Sequence, residues 1–191
     1  MEQTILLSHG NGGRYTQKLI KNLFHERFKN DFLDEMHDSA RLSIPGERLA
    51  FTTDSFVITP LIFPGGDIGK LAVCGTVNDL AVSGARPLYL SAGFIIEEGF
   101  SLDFLTQIVD SMADCARKAK VQIVTGDTKV VPKGCADQLF INTSGIGVIY
   151  PGVKVAGSQA KPGDRVIING THQRVHRSLM IAQAIVALEP A

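Results

Sequence analysis

At 191 residues and 45% hydrophobic content, the chain is long enough for one full domain plus part of another, and it can bury a real core. Nineteen basic and nineteen acidic residues give a formal net charge of zero, so the electrostatic footprint of a nucleic-acid or anionic-membrane binder is absent. No apolar run approaches the roughly 20 residues of a membrane span, and MEQTILLSHGNGG lacks a basic region followed by a hydrophobic stretch; the expectation is a folded cytoplasmic protein.

The chain opens with a glycine cluster, HGNGG at 9–13, which by itself reads equally as a flexible arm or as a ligand-side loop. Residues 15–32 carry Leu19, Ile20, Leu23, Phe24 and Phe28 at helical spacing and predict an amphipathic helix. A strand at 49–53, continuing towards 58, leads to the turn PGGD and a helix around 70–83 that GARP ends. Residues 88–95 alternate as a strand. Ser101 opens a second long helix in which Leu105, Ile108, Val109, Met112 and Cys115 share a face. Strands at 121–125 and 139–150 complete an α+β pattern, with helices layered on one sheet. Residues 151–163 read as a linker, and AKPGDRVIING as the opening of another domain. The tail predicts a helix over 178–188 but lacks the strands to finish a domain. His172 and His176, four apart without a third ligand, read as surface residues. The division is therefore an arm and helix at 1–36, a central domain at 37–150, and a linker with an incomplete second domain at 151–191.

Three cysteines, Cys74, Cys115 and Cys135, are odd in number and widely spaced, which fits neither a disulfide framework nor a zinc site. Cys74 and Cys115 read as small core residues, and Cys135 as an exposed loop residue.

The chemistry lies in three acids, each following an apolar run: Asp54 after RLAFTT, Asp79 after KLAVCGTVN, and Asp127 after VQIVTG. An ionised carboxylate against a buried strand is costly unless a cation or hydrogen bonds compensate. Each acid alone reads first as a turn or cap residue. Three converging acids would suit Mg²⁺, which takes few protein ligands when a nucleotide supplies further oxygens. Asn78 and Thr128 add neutral polar groups beside two of them. Gly65, Gly66 and Gly69 precede Lys70, so this segment predicts a glycine-rich turn opening a helix whose free amides face an anion. It is not a Walker A loop, because Leu71 stands where a hydroxyl residue would follow the lysine.

The segments FTTDSFVITPLIFPGGDIGKLAVCGTVNDLAVSGARPLYLSAGFIIEEG, VTGDTKVVPKG and LFINTSGIGVI resemble the HypE family of hydrogenase maturation factors. These are carbamoyl dehydratases in the superfamily of aminoimidazole ribonucleotide synthetase and selenophosphate synthetase. The resemblance runs from about His9 to Gly170. It implies a mixed sheet that pairs across a homodimer, with the ATP site along the interface. It also implies ATP-dependent dehydration of a protein-bound thiocarboxamide to thiocyanate, the source of cyanide ligands for [NiFe] hydrogenases. The implied partners are the carbamoyltransferase HypF and the HypC–HypD pair. On this resemblance Asp54, Asp79 and Asp127 match metal and phosphate positions, Asn78 and Thr128 support them, and Lys129 with Asp79 serves the dehydration step. Gly10, Gly12 and Gly13 match a family arm near the nucleotide, with Asn11 replacing the usual Ser; Gly65, Gly66, Lys70 and Gly126 join the implied nucleotide contacts. After Thr171 the sequence reads HQRVHRS rather than a GDHG-like continuation, and no PRxC-like tail follows. The expectation is a truncated chain without the acceptor cysteine that keeps the phosphate-binding half of the site. Two other readings remain: another ATP-dependent enzyme of the superfamily, kinase or synthetase, and a non-catalytic dimeric scaffold for maturation partners.

Overall fold

A computed structural model describes residues 4–34, 44 and 47–165. The predicted strand in RVIING, the helix over 178–188 and His172 and His176 lie outside the described residues. After a 3₁₀ turn at Leu7–His9, helical backbone runs through α1 (Arg14–Leu19), a π-helical stretch (Ile20–His25) and α2 (Glu26–Phe28), and the short α3 (Asp31–Asp34) follows. The single helix expected over 15–32 is therefore broken, and Asn30 gives the reason. Its Oδ1 accepts from the amides of Phe32 (3.1 Å) and Leu33 (3.2 Å), while its Nδ2 donates to the carbonyls of Phe28 (2.8 Å) and Ile123 (2.9 Å). One side chain thus ends one helix, caps the next and ties both to the sheet.

Next come β1 (Leu49–Phe56), the hairpin strands β2 (Ile62–Phe63) and β3 (Gly66–Asp67), α4 (Ile68–Val82), β4 (Ala85–Glu97), α5 (Leu102–Ala119), β5 (Gln122–Val131) and β6 (Leu139–Ile149). Four strands form a mixed sheet in the order β1-β6-β4-β5, with β6 antiparallel to both neighbours and β4 parallel to β5. The expected α+β fold, helices on a mixed sheet, is what the chain adopts. Between Pro64 and Gly66 the hairpin turns at Gly65, whose φ of +97° suits a residue without Cβ. Ser101 caps α5, its Oγ accepting from the Phe104 amide at 3.3 Å.

One face of the sheet carries the core. Leu90, Ala92, Phe94 and Ile96 of β4 and Leu139 and Ile141 of β6 are buried against Val73, Val77 and Leu80 of α4 and Leu105, Ile108 and Met112 of α5. Burial of each large side chain stabilises the fold by about 1.5–3 kcal/mol. The helices meet closely at Gly69, where an added Cβ would lie 2.4 Å from the Ile108 carbonyl oxygen. Cys74 and Cys115 are buried beside each other between α4 and α5, as expected of core residues, and Cys135 is exposed. A hydrogen bond from Cys115 pulls the Cys74 thiol down to about 7 against the opposing effect of burial. Cys115, which gives that bond, is pushed up by it and by burial. The other face of the sheet is open, with Phe51 70% and Ile95 43% exposed.

Candidate functional site

Two of the three acids meet at the β1 edge. Residues two apart in a strand share a face, so Thr52 and Asp54 of β1 point together at α4. Residues four apart in a helix share a face, so Gly75 and Asp79 face back. Thr52 Oγ1 donates to Asp79 Oδ2 at 2.9 Å. Asp54 lies against Gly75, where an added Cβ would stand 3.4 Å from its Oδ2 and 2.9 Å from the Phe56 ring. The Asp54 backbone is braced as well: Asn142 Nδ2 on β6 donates to its carbonyl at 3.0 Å. Among the described residues, neither carboxylate has a cationic partner. The corner therefore presents two hard oxygen donors held by a packed strand and helix, one of them half-buried and one exposed.

The third acid is elsewhere. Asp127 sits in β5, at the far edge of the sheet, opposite Gly93, and its carboxylate lies 3.6 Å from Lys129 Nζ. Both side chains are exposed (68% and 64%), so this pair is weakly held and open to a ligand. Beside them a cleft of ≈ 530 Å³ runs between β5 and the N-terminal helices, lined by Gly10, Gly12, Phe24, His25, Asp127 and Lys129 among others. The HGNGG segment is fixed against this strand, since a Cβ on Gly10 would lie 2.4 Å from the Val130 amide nitrogen. Asn11 Oδ1 accepts from the Gly13 amide (3.0 Å), and Thr16 Oγ1 accepts from the Gly12 amide (3.0 Å), so the loop turns on its own side chains.

Three expectations need correction. The acids do not converge within one chain: among the described residues no group of three His, Cys, Asp or Glu side chains could hold a metal, because Asp127 is separated from Asp54 and Asp79 by the width of the sheet. The strand expected over 121–125 runs on to Val131, so Asp127 lies within β5 and not beyond its end, whereas Asp54 and Asp79 lie within the expected strand β1 and helix α4. The amides opening α4 are not all free. Asp67, buried, caps the helix by accepting from the Lys70 amide at 2.9 Å, Lys70 Nζ donates to the Gly65 carbonyl at 2.8 Å, and Gly69 faces α5. Asn78 is half-buried beside Asp79, and Thr128 is buried beside Asp127. Gly66 and Gly126 serve close packing; a Cβ on Gly126 would lie 2.3 Å from the Ala92 carbonyl oxygen, and one on Gly66 3.0 Å from the Lys70 side chain. Thr52 was missed, although its position two residues before Asp54 in a strand was a readable signal. Asn142 carried none, because its role depends on long-range pairing.

The family of AIR synthase related protein, N-terminal domain, matches residues 36–149. The chain is 53% identical over 168 residues to carbamoyl dehydratase HypE of Azotobacter vinelandii, covering 88% of this chain and 49% of that protein. It is similar to the crystal structure of hydrogenase maturation protein HypE in complex with ATP, with a TM-score of 0.75 and 56% identity over 77% of this chain and 44% of the other. It also resembles the structure of a HypE–HypF complex, with a TM-score of 0.60 and 57% identity over 76% of this chain and 47% of that one. The chain spans about half the length of the curated relatives it matches. Among the described residues no helix is long and apolar enough to cross a membrane. The mixed sheet with its covering helices, the family match over residues 36–149 and this similarity to HypE proteins agree: the chain belongs to the AIR synthase related family, whose N-terminal domain it carries.

Proposed function

We propose that this chain supplies the ATP-binding and dimerising half of a HypE-type carbamoyl dehydratase, which converts a protein-bound thiocarboxamide to thiocyanate for the cyanide ligands of [NiFe] hydrogenase. The observation that carries the reading is the Asp54–Asp79 corner with its Thr52 brace, on a fold similar to that of a relative solved with ATP. Two carboxylates without a protein cation suit Mg²⁺ when phosphate oxygens and water complete its shell. Bound ATP would supply the phosphoryl group that makes the amide oxygen a leaving group. The chain's own residues would position and neutralise charge: Asp54 and Asp79 would hold the metal, Asp127 with Thr128 would join from the β5 edge, and Lys129 would offset developing negative charge or carry a proton. Gly10, Gly12 and Gly13 with Gly65, Gly66, Lys70, Asn78 and Gly126 border the nucleotide.

The separation of Asp127 from the other two acids favours a site completed beyond one chain, in a homodimer whose sheets join through their open faces. The exposed Phe51 and Ile95 on that face fit such pairing. The wider assembly in this proposal has HypF as carbamoyl donor, in keeping with the HypE–HypF complex of a relative, and the HypC–HypD pair as a further partner, in the cytoplasm.

The test is calorimetric titration of the chain with Mg·ATP, alongside Asp79→Ala. Saturable binding that the variant loses is expected. A folded dimer that binds no nucleotide yet captures a HypF-type carbamoyltransferase would replace the enzymatic reading with the scaffold one.

A further inference from the structure

Beneath the acid corner lies a polar contact that the proposed chemistry does not use. Thr76 of α4 and Thr143 of β6 are both fully buried, and their hydroxyl oxygens are 2.6 Å apart. Thr143 Oγ1 donates to the Ala72 carbonyl at 3.1 Å. A hydroxyl has one proton, so Thr76 must be the donor between the two, and the bonds run in one direction from Thr76 to Thr143 to Ala72. Both hydroxyls are thereby satisfied within a dry core, where an unpaired one would cost about 1–3 kcal/mol.

The position of this pair is the informative part. Thr143 is the cross-strand partner of Asp54. Thr76 is three residues before Asp79 on α4, and its neighbour Gly75 is the residue against which Asp54 lies. The Thr76 methyl rests on Gly145, where an added Cβ would be 2.7 Å away. The contact therefore joins the strand partner of one acid to the helical turn that carries the other. Apolar packing of α4 on the sheet fixes its depth, but it resists sliding along the sheet weakly, because it is non-directional. A short directional bond resists sliding.

We infer that the Thr76–Thr143 hydroxyl pair is a positioning device that sets the Asp54–Asp79 separation, and so the affinity of the corner for a magnesium-bound polyphosphate. The inference rests on the nucleotide reading of that corner. Its test compares wild type, Thr76→Val/Thr143→Val, Thr76→Ser/Thr143→Ser and Asp79→Ala by thermal unfolding and by Mg·ATP calorimetry at several magnesium concentrations. The valine pair keeps the volume and removes both hydroxyls together, and the Ala72 carbonyl that loses the Thr143 bond still lies within the α4 hydrogen-bond ladder, so the fold is preserved. With valine, the magnesium concentration for half-saturation should rise about tenfold, the scale of lost support behind a metal ligand, while the melting temperature holds. Serine should restore wild-type values. Valine variants that bind as tightly as wild type overturn the inference while leaving the nucleotide reading intact. Serine variants about tenfold weaker than wild type also overturn it, since methyl packing would then be the cause, and this comparison with wild type stands even if the valine protein does not fold. Wild type without saturable binding removes the nucleotide reading and the inference with it.

Discussion

The two edges of the sheet hold similar sequence words, TTD and TGD, in unlike physical settings. At the β1 edge, Asp54 and Asp79 sit on a floor of buried residues, with Thr52 and Asn142 fixing a carboxylate and a carbonyl. At the β5 edge, Asp127 and Lys129 project into solvent from a strand whose support is glycine, Gly126 below and Gly10 alongside. The first edge is preorganised by its own chain, and the second offers exposed charges beside a cleft. A charge that must be placed for phosphoryl chemistry can be held by its own scaffold or by what binds to it. On the proposed function, each edge would use a different one of these means.

The sharpest break of this contrast is at Gly126. An added Cβ would stand 2.3 Å from backbone at Ala92, which cannot move without parting β4 from β5. Gly126→Ala should therefore destabilise the fold by about 3 kcal/mol in urea denaturation. Gly12→Ala on the same side meets open space and carries only the strain of a φ of +78°, about 1 kcal/mol. Equal losses from the two would mean that the β5 edge is not built on close backbone contact. A smaller effect is expected at Lys129: Lys129→Gln should weaken Mg·ATP binding about tenfold and flatten its salt dependence, with the melting temperature unchanged. A drop in melting temperature would show that the exposed pair is structural after all.

The smallest effect concerns the core shared by both edges. The folded Cys74 thiol titrates at about 7 against an ordinary 9.0, so the folded state sheds that proton first and stability rises as pH climbs from about 7 towards 9.0. Cys115 is shifted upward, so above 9.0 the unfolded chain sheds its proton first and stability falls. Denaturation midpoints from pH 6 to 10 should show a gain and then a decline. Cys115→Ala should abolish the gain; a flat wild-type profile would remove the thiol pair from the pH response.

The fold was legible where pattern and neighbourhood agree. The apolar run LAVCGTVNDLAV gave α4, the period of Leu105, Ile108, Val109, Met112 and Cys115 gave α5, and Ser101 announced its start. The hairpin of β2 and β3 passed as a turn because its strands are two residues each. The site was legible by residue type and only half legible by arrangement. Asp54 and Asp79 adjoin through packing of α4 on β1, which only a short hairpin separates in the chain, whereas the place of Asp127 depends on the strand order β1-β6-β4-β5, which no local pattern encodes. Asp67 was readable as an acid immediately before a helix. The glycines around it suggested an open anion site, but its carboxylate takes the Lys70 amide.

Asn30 has a consequence for the cleft beside β5. By donating to the Ile123 carbonyl it pins the N-terminal helices to one end of the strand, and Gly10, pressed on the Val130 amide, pins the chain at the other end. A cleft held at both ends has a fixed gauge: it can widen only by giving up a hydrogen bond or a close backbone contact.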